Sequence, residues 1–367
     1  MITDLGCHLD IPHSASDAEL TAIDMEIRRR VYWGAYVGDK FQSLFLGRPP
    51  AMLESAGKVS REYLDSYEEL EMWTPYVDPL VESSDATVPA YPGRPSYALS
   101  TFRSLLQLCD IAARIIDAFY SINSAEISQD ALLETRHDVR EQLSQWKNNL
   151  SLWLKYDPST QPTPPPHQVT PHTTYWTLII LTEQAFLNRG RFNFTLDEGC
   201  QEEARQRCLE AALQTWRLVE AYRDAFTLRR AQYGISYATY CAALVILQHT
   251  DKEYIGCLRF FWHALVEYQR GCNYGLKRPL RLLKSLMDRL ETVMQEHNTE
   301  EGEVADWQNL DEFQMDPTSA FDLESFDMAA VDPLGGPSLG ATSTDGPSAH
   351  NNPIFDITDD MIYGFYM

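Results

Sequence analysis

The chain has 367 residues, 44% of them hydrophobic, and a formal net charge of −23, which is enough apolar material for one large core or two smaller ones. The acid is uneven: residues 290–367 hold 17 Asp/Glu and no Lys or Arg, leaving 36 acids against 30 bases before them. Neither part has the basic surplus on which binding to a phosphate backbone rests.

Apolar residues recur mainly at three- and four-residue spacing, which predicts helices throughout. Ser16 and Glu19 fit a capping box at the head of a first helix running to about Leu46. Gly47 suits its left-handed C-terminal cap, and Pro49 cannot continue it. Residues 60–70 read as a short acidic helix, and residues 74–97, with five prolines, as a surface loop. A long helix follows over 97–124, its buried stripe marked by Leu105, Leu108, Ala112, Ile115, Ile116 and Phe119. Another spans 128–154, with Leu132, Val139, Leu143, Trp146 and Leu150 inward. Residues 157–172, DPSTQPTPPPHQVTPH, read as a proline-rich connector in extended geometry. Residues 173–188 are apolar on most sides and so form a central helix. Helices over 200–230, 233–249, 251–272 and 279–297 complete an all-α domain, residues 1–297. From residue 298 Gly, Pro, Ser and acid dominate and periodicity fades, which predicts a disordered acidic tail over 298–367.

Recognisable catalytic spacing is missing. The chain contains no Cys-x-x-Cys pair, His-Glu-x-x-His or P-loop. Cys200 and Cys208 stand more than two helical turns apart, and Cys7, His8 and His13 share only a segment. Asp359 and Asp360 are an adjacent acidic pair of the chemistry that binds magnesium, but in a segment expected to lack a rigid scaffold. His263 and Cys272 read as core or surface residues of a helix. We therefore assign no catalytic, cofactor or metal residue. The seven scattered cysteines suit reduced thiols in an intracellular protein. Stretches such as TLIILTEQAFL fall well below the ~20 residues of a membrane span, and no signal peptide opens the chain.

Residues 26–52, EIRRRVYWGAYVGDKFQSLFLGRPPAM, are the most distinctive segment. Three consecutive helical arginines, Arg28, Arg29 and Arg30, fan over about 200° and cannot share one phosphate track. Ile27, Val31, Gly34, Gly38, Phe41 and Phe45 follow four-three-four-three-four spacing. This predicts one packing seam, with two glycines that let a neighbouring helix approach. Glu26 and Arg30 are placed to pair, and Arg29 and Trp33 to make a cation–π contact. The expectation is a packed interior helix that does not grip DNA. The basic run 275–290 reads as a solvated helix face, with a weak nuclear-import signal as its alternative.

The tail mixes acids with large apolar residues: Trp307, Leu310, Phe313, Phe321, Leu323 and Phe326, then Phe355, Ile357, Met361 and Phe365. Acidic-hydrophobic alternation marks amphipathic activation segments, whose rings are buried by a partner groove as short helices form. The alternative is a solubilising tail.

The segment resembles the signature of the fungal-specific transcription factor domain, the middle region of binuclear zinc-cluster regulators. The matching positions are Glu26, Arg28 to Arg30, Tyr32 with Trp33, Asp39, and Gly47, Arg48 and Pro49. DLGCHLDIP ahead of it, and EYLDSYEELEMW, YALSTFRSLLQLCDIAARIIDAFY, PPPHQVTPHTTYWTLIIL and YGISYATYCAALVIL after it, are similar to stretches of the nitrogen-assimilation regulators of filamentous fungi. The resemblance covers most of residues 5–290. It implies an all-α domain that controls activity, in a nuclear regulator of RNA polymerase II transcription with a possible cytoplasmic pool. It implies co-activators as partners of the acidic tail and a possible dimer partner. DNA would be read only by an N-terminal six-cysteine cluster holding two zinc ions. That cluster and the first part of the domain are absent here, as expected of a truncated gene model or of a product without its DNA-binding part. Zinc is expected only in that cluster, and no cofactor in this chain. At LTEQAFLNRG, residues 181–190, related sequences tend to carry a His-Arg-Pro-Phe run. Alternative readings are an all-α interaction scaffold without a transcriptional role and a helical metal-dependent enzyme.

Overall fold

The computed structural model describes residues 7, 21–53, 57–64, 68–75, 91–121, 124, 126–187, 191–249, 254–271 and 274–297, with side chains to residue 288. The architecture is all-α. The helices are α1 (Ala22–Leu46), α2 (Ala98–Ile115), α3 (Gln129–Asn149), α4 (Pro166–Leu187), α5 (Glu198–Ala225), α6 (Tyr233–Leu247), α7 (Ile255–Arg270) and α8 (Lys277–His297). The only strands among the described residues are β1 (Met72–Trp73) and β2 (Arg94–Pro95), an antiparallel pair. The compact body reaches Asp288 within α8, and Arg289–Asn352 fall in a second unit.

The centre of the body is α4. It packs against α2, α3, α5 and α6, and its residues from Gln168 to Phe186 are almost all buried. Five of them are threonines. Each hydroxyl bonds a carbonyl three or four residues back, as Thr174 does to Thr170 at 2.8 Å and Thr182 to Leu178 at 2.7 Å. Polar groups can enter a dry core this way because their hydrogen bonds close locally. The helix begins at Pro166, seven residues ahead of the predicted start. Proline is tolerated there because the first N–H groups of a helix have no internal partner, and only Pro171 falls inside.

Other boundaries also have a local cause. Ser128 caps α3 and Asp197 caps α5, each accepting a backbone N–H through its side chain. The long second helix divides: α2 ends at Ile115 and a wider π turn carries Ile116–Tyr120. Arg191 donates to the Phe119 carbonyl released by that turn, through Nε at 2.8 Å, and Tyr120 donates to the Leu181 carbonyl at 2.7 Å. The stripe of α2 is broader than predicted. Leu99, Leu106, Cys109 and Ile111 are buried as well, while Leu105 is only half-buried, because α1 and α4 cover different sides.

His172 lies against the rings of Trp146 and Tyr156, with its Nε2 2.9 Å from the Leu154 carbonyl. Burial pushes its pKa down to about 4. The unfolded chain, with a histidine pKa near ~6.5, therefore binds the proton at pH values where the folded one does not. This contribution is intact above pH ~6.5 and is lost on acidification toward pH ~4, by about 2 kcal/mol between pH 7 and 5. Urea midpoints should fall over that interval. His172→Phe should flatten the fall, and an equal slope in the variant would refute the assignment.

Candidate functional site: the arginine-aromatic helix

Thr21 and Asp24 form a capping box at the start of α1. Asp24 N–H donates to Thr21 Oγ1 at 3.1 Å and Thr21 N–H to Asp24 Oδ2 at 3.0 Å. These bonds from Thr21 hold the Asp24 carboxyl below its ordinary pKa. The predicted cap at Ser16 and Glu19 lies outside the described residues. At the other end Gly47 takes φ 64°, its N–H bonds the Ser43 carbonyl, and the chain turns into Arg48 and Pro49, both exposed.

Asp39 fastens that turn. Its carboxylate accepts the N–H groups of Ala51 at 2.9 Å and Met52 at 3.0 Å, and the Lys40 ammonium at 2.8 Å. Burial pushes the Asp39 carboxyl upward, but the bonds from Lys40, Met52 and Ala51 outweigh it and hold it below the usual carboxylate range. Lys40 is 1% exposed. Its ammonium also donates to the Met52 carbonyl and lies 4.2 Å from the centre of the Tyr36 ring. The buried cation is therefore served by a carboxylate, a carbonyl and a π face.

Trp33 holds the middle of the helix. Its indole N–H donates to the Ser60 carbonyl at 2.9 Å, and its ring meets Tyr32 and Tyr36 edge to face at 5.1 and 5.4 Å. The cation over its ring is Arg61, at 4.4 Å, which corrects the expected Arg29 contact. Arg61 in turn grips Asp110 of α2 with two nitrogens, at 2.6 and 3.0 Å, and Tyr36 donates to the same carboxylate at 3.0 Å. Three segments distant in sequence thus meet at one carboxylate.

The arginine triplet is divided among separate tasks. Arg30 binds Glu26 at 2.6 Å, as the spacing predicts, and also Glu68 at 2.5 Å and the Leu64 carbonyl at 3.0 Å. The Glu68 bond leads in raising its already high pKa. Arg29 donates to the Glu62 carbonyl at 3.4 Å, and Arg28 acts on Asp24 one turn back. No helix forms among the described residues of 60–70, contrary to the acidic helix expected there. The reason is in the acceptors: carbonyls of Ser60, Glu62 and Leu64 are occupied by α1 side chains, and a helix would need them internally.

The predicted seam is also corrected. Ile27 and Val31 are 54% and 40% exposed, and among the described residues nothing beyond the adjoining backbone of α1 lies within 4 Å of a Cβ placed on Gly34 or Gly38. The buried side carries Glu26, Tyr32, Trp33, Tyr36, Lys40, Ser43 and Leu44, roughly opposite at ~100° per residue. Among the described residues the C-terminal end of the seam alone is filled: Phe41 and Phe45 pack edge-on against Tyr233 at the start of α6.

A second polar cluster was not foreseen from the sequence. Glu183 of α4 is 1% exposed and accepts from Arg136 at 2.6 Å and from Arg140 at 2.6 and 2.7 Å, both on α3. Arg140 continues to Glu203 of α5 at 3.1 Å. The signal available was a lone acid in an otherwise apolar helix, which demands buried cations.

Among the described residues there is no group of three or more His, Cys, Asp or Glu placed to hold a metal, and no helix long and apolar enough to cross a membrane. Asp359, Asp360, Cys272 and the ten tail residues from Trp307 to Phe365 lie outside the described residues. On the basic run, Leu280, Leu283, Leu286 and Met287 are buried while Lys277, Arg278, Arg281 and Lys284 are exposed. This is the solvated face of an amphipathic helix.

Comparison with known proteins places this geometry. A family model described as the fungal specific transcription factor domain matches residues 1–148, which include the whole of α1 and its partners on α2. The chain is 25% identical to the nitrogen assimilation transcription factor nirA of Emericella nidulans over 69% of its own length and 27% of that protein. It is 24% identical to the nitrogen assimilation transcription factor nit-4 of Neurospora crassa, over 63% of this chain and 19% of that one. An uncharacterized transcriptional regulatory protein of Schizosaccharomyces pombe is 24% identical over 89% of this chain and 52% of its own length. The chain thus spans about a fifth to a half of these relatives. No solved structure matches it.

Proposed function

With residues 1–148 matched to the fungal specific transcription factor domain, we propose that this chain is the regulatory and activation portion of a fungal zinc-cluster transcription factor acting on RNA polymerase II transcription in the nucleus. The observation that carries the reading is α1. Its matched signature residues are committed to internal partners, as suits a domain that regulates rather than one that reads DNA. DNA would be read by a zinc cluster outside this chain, and that is where zinc would belong. The acidic-aromatic segment 298–367 is the activating part, and its large apolar residues enter a co-activator groove. The 17 carboxylates after residue 289 keep the segment soluble until then.

The test fuses the full chain to a foreign DNA-binding domain upstream of a reporter. Activation is expected, together with a loss of about tenfold or more when Phe313, Phe321, Phe326, Phe355 and Phe365 become alanine, equivalent to ~1.4 kcal/mol or more of lost contact. A silent parent fusion, or an equally active five-fold variant at equal protein level, would contradict the activation role.

A further inference from the structure

Positive charge is gathered at one corner of the body. Residues 227–287 carry nine Lys/Arg against three Asp/Glu, in a chain whose totals are 30 and 53. The fold draws these bases together. Helix α7 packs on the short turn Leu228–Arg230 and on the turn Tyr274–Leu276, which leads straight into α8. The Arg229 backbone lies against Gly271, where a side chain would not fit, so the exposed Arg229, Arg230 and Arg270 stand at one end of α7. Glu267, the acid of α7, is already engaged by Arg223 and by the Leu228 N–H.

From that corner α8 carries the charge onward. Lys277, Arg278, Arg281 and Lys284 are exposed, and successive turns place them ~5 Å apart along the axis. The opposite side, Leu280, Leu283, Leu286 and Met287, is buried and fixes the helix. The cations therefore form a row on a rigid backbone. We propose that this row docks on the acidic surface of a nuclear import receptor. The inference rests on the nuclear reading above and supplies its route of entry.

Charge complementarity over a short row suits such a receptor. A DNA duplex fits less well. Strong binding there takes ~6–10 phosphate contacts, and a duplex would run past this corner over a body whose residues 1–226 hold 32 acids against 20 bases. A receptor needs only the row itself. Screening over ~8 Å in physiological salt keeps the distant acid from cancelling the row at contact.

The test follows the full chain, fused to a fluorescent protein, in fungal cells. The parent is expected in the nucleus. Combined Lys277→Ala, Arg278→Ala, Arg281→Ala and Lys284→Ala should spread it evenly through the cell, with helix content by circular dichroism unchanged. Exchanging the same four positions between lysine and arginine should keep it nuclear, because the charge remains. Appending an unrelated import sequence to the alanine variant should return it to the nucleus. An alanine variant as nuclear as the parent would overturn the proposal. So would a random-sequence DNA duplex that the purified parent shifts at physiological salt and the alanine variant does not, since the row would then serve phosphate. The reporter fusion above carries its own import signal. A cytoplasmic parent here with an active reporter there therefore sinks this inference alone.

Discussion

Replacing Trp33 by alanine is expected to cost about 3–5 kcal/mol, the range for removing a large aromatic side chain from a packed interior. The ring is 4% exposed and stands between Tyr32, Tyr36 and the Arg61 guanidinium. Removing it leaves a void, breaks the indole bond to the Ser60 carbonyl and takes away the surface on which Arg61 lies. Trp33→Phe separates these losses. It keeps most of the apolar volume and drops the indole bond, so it should cost about 1–2 kcal/mol. Denaturant titrations monitored by circular dichroism measure both. A loss below ~1 kcal/mol for the alanine variant would mean that α1 does not depend on its signature ring.

The second large effect is expected at Glu183. Alanine there leaves the buried Arg136, whose side chain is 7% exposed, without its carboxylate. Breaking a buried ion pair from one side typically costs 3–5 kcal/mol, because the remaining charge is still desolvated. Arg140 suffers less, since it is 20% exposed and keeps Glu203. Replacing Glu183 by leucine together with Arg136→Met should recover much of the loss, because a matched apolar pair leaves no such charge. If Glu183→Ala unfolds at the same denaturant concentration as the parent, the cluster does not join α3 to α4.

Much of the fold could be read from the sequence because its causes are local. Helical periodicity gave the all-α class, the Ser128 cap opened α3, and Gly47 closed α1 where a left-handed residue was needed. Glu26 and Arg30 were legible for the same reason, being one turn apart. The buried side of α1 was not. Both of its sides carry apolar residues, and the buried one includes a lysine, which a search for apolar stripes passes over. Lys40 is tolerated inside only because Asp39, the Met52 carbonyl and the Tyr36 ring converge on it. The partners that settle the question, Ser60, Arg61 and Asp110, lie 27 to 74 residues away from those they bind. Distance in sequence hid the Glu183 cluster as well, with partners 47 and 43 positions off.

The clamp that Asp39 places on residues 51 and 52 bears on how genetic lesions in this segment present themselves. A carboxylate that holds two backbone amides and a buried ammonium acts on folding equilibrium, so its loss raises the unfolded fraction handed to cellular proteolysis. Lesions across the signature will then behave alike in a screen: low steady-state protein, partial rescue by growth at reduced temperature, and recovery by second-site stabilising changes elsewhere in the body. A defect confined to nucleic-acid contact would show none of these three signs.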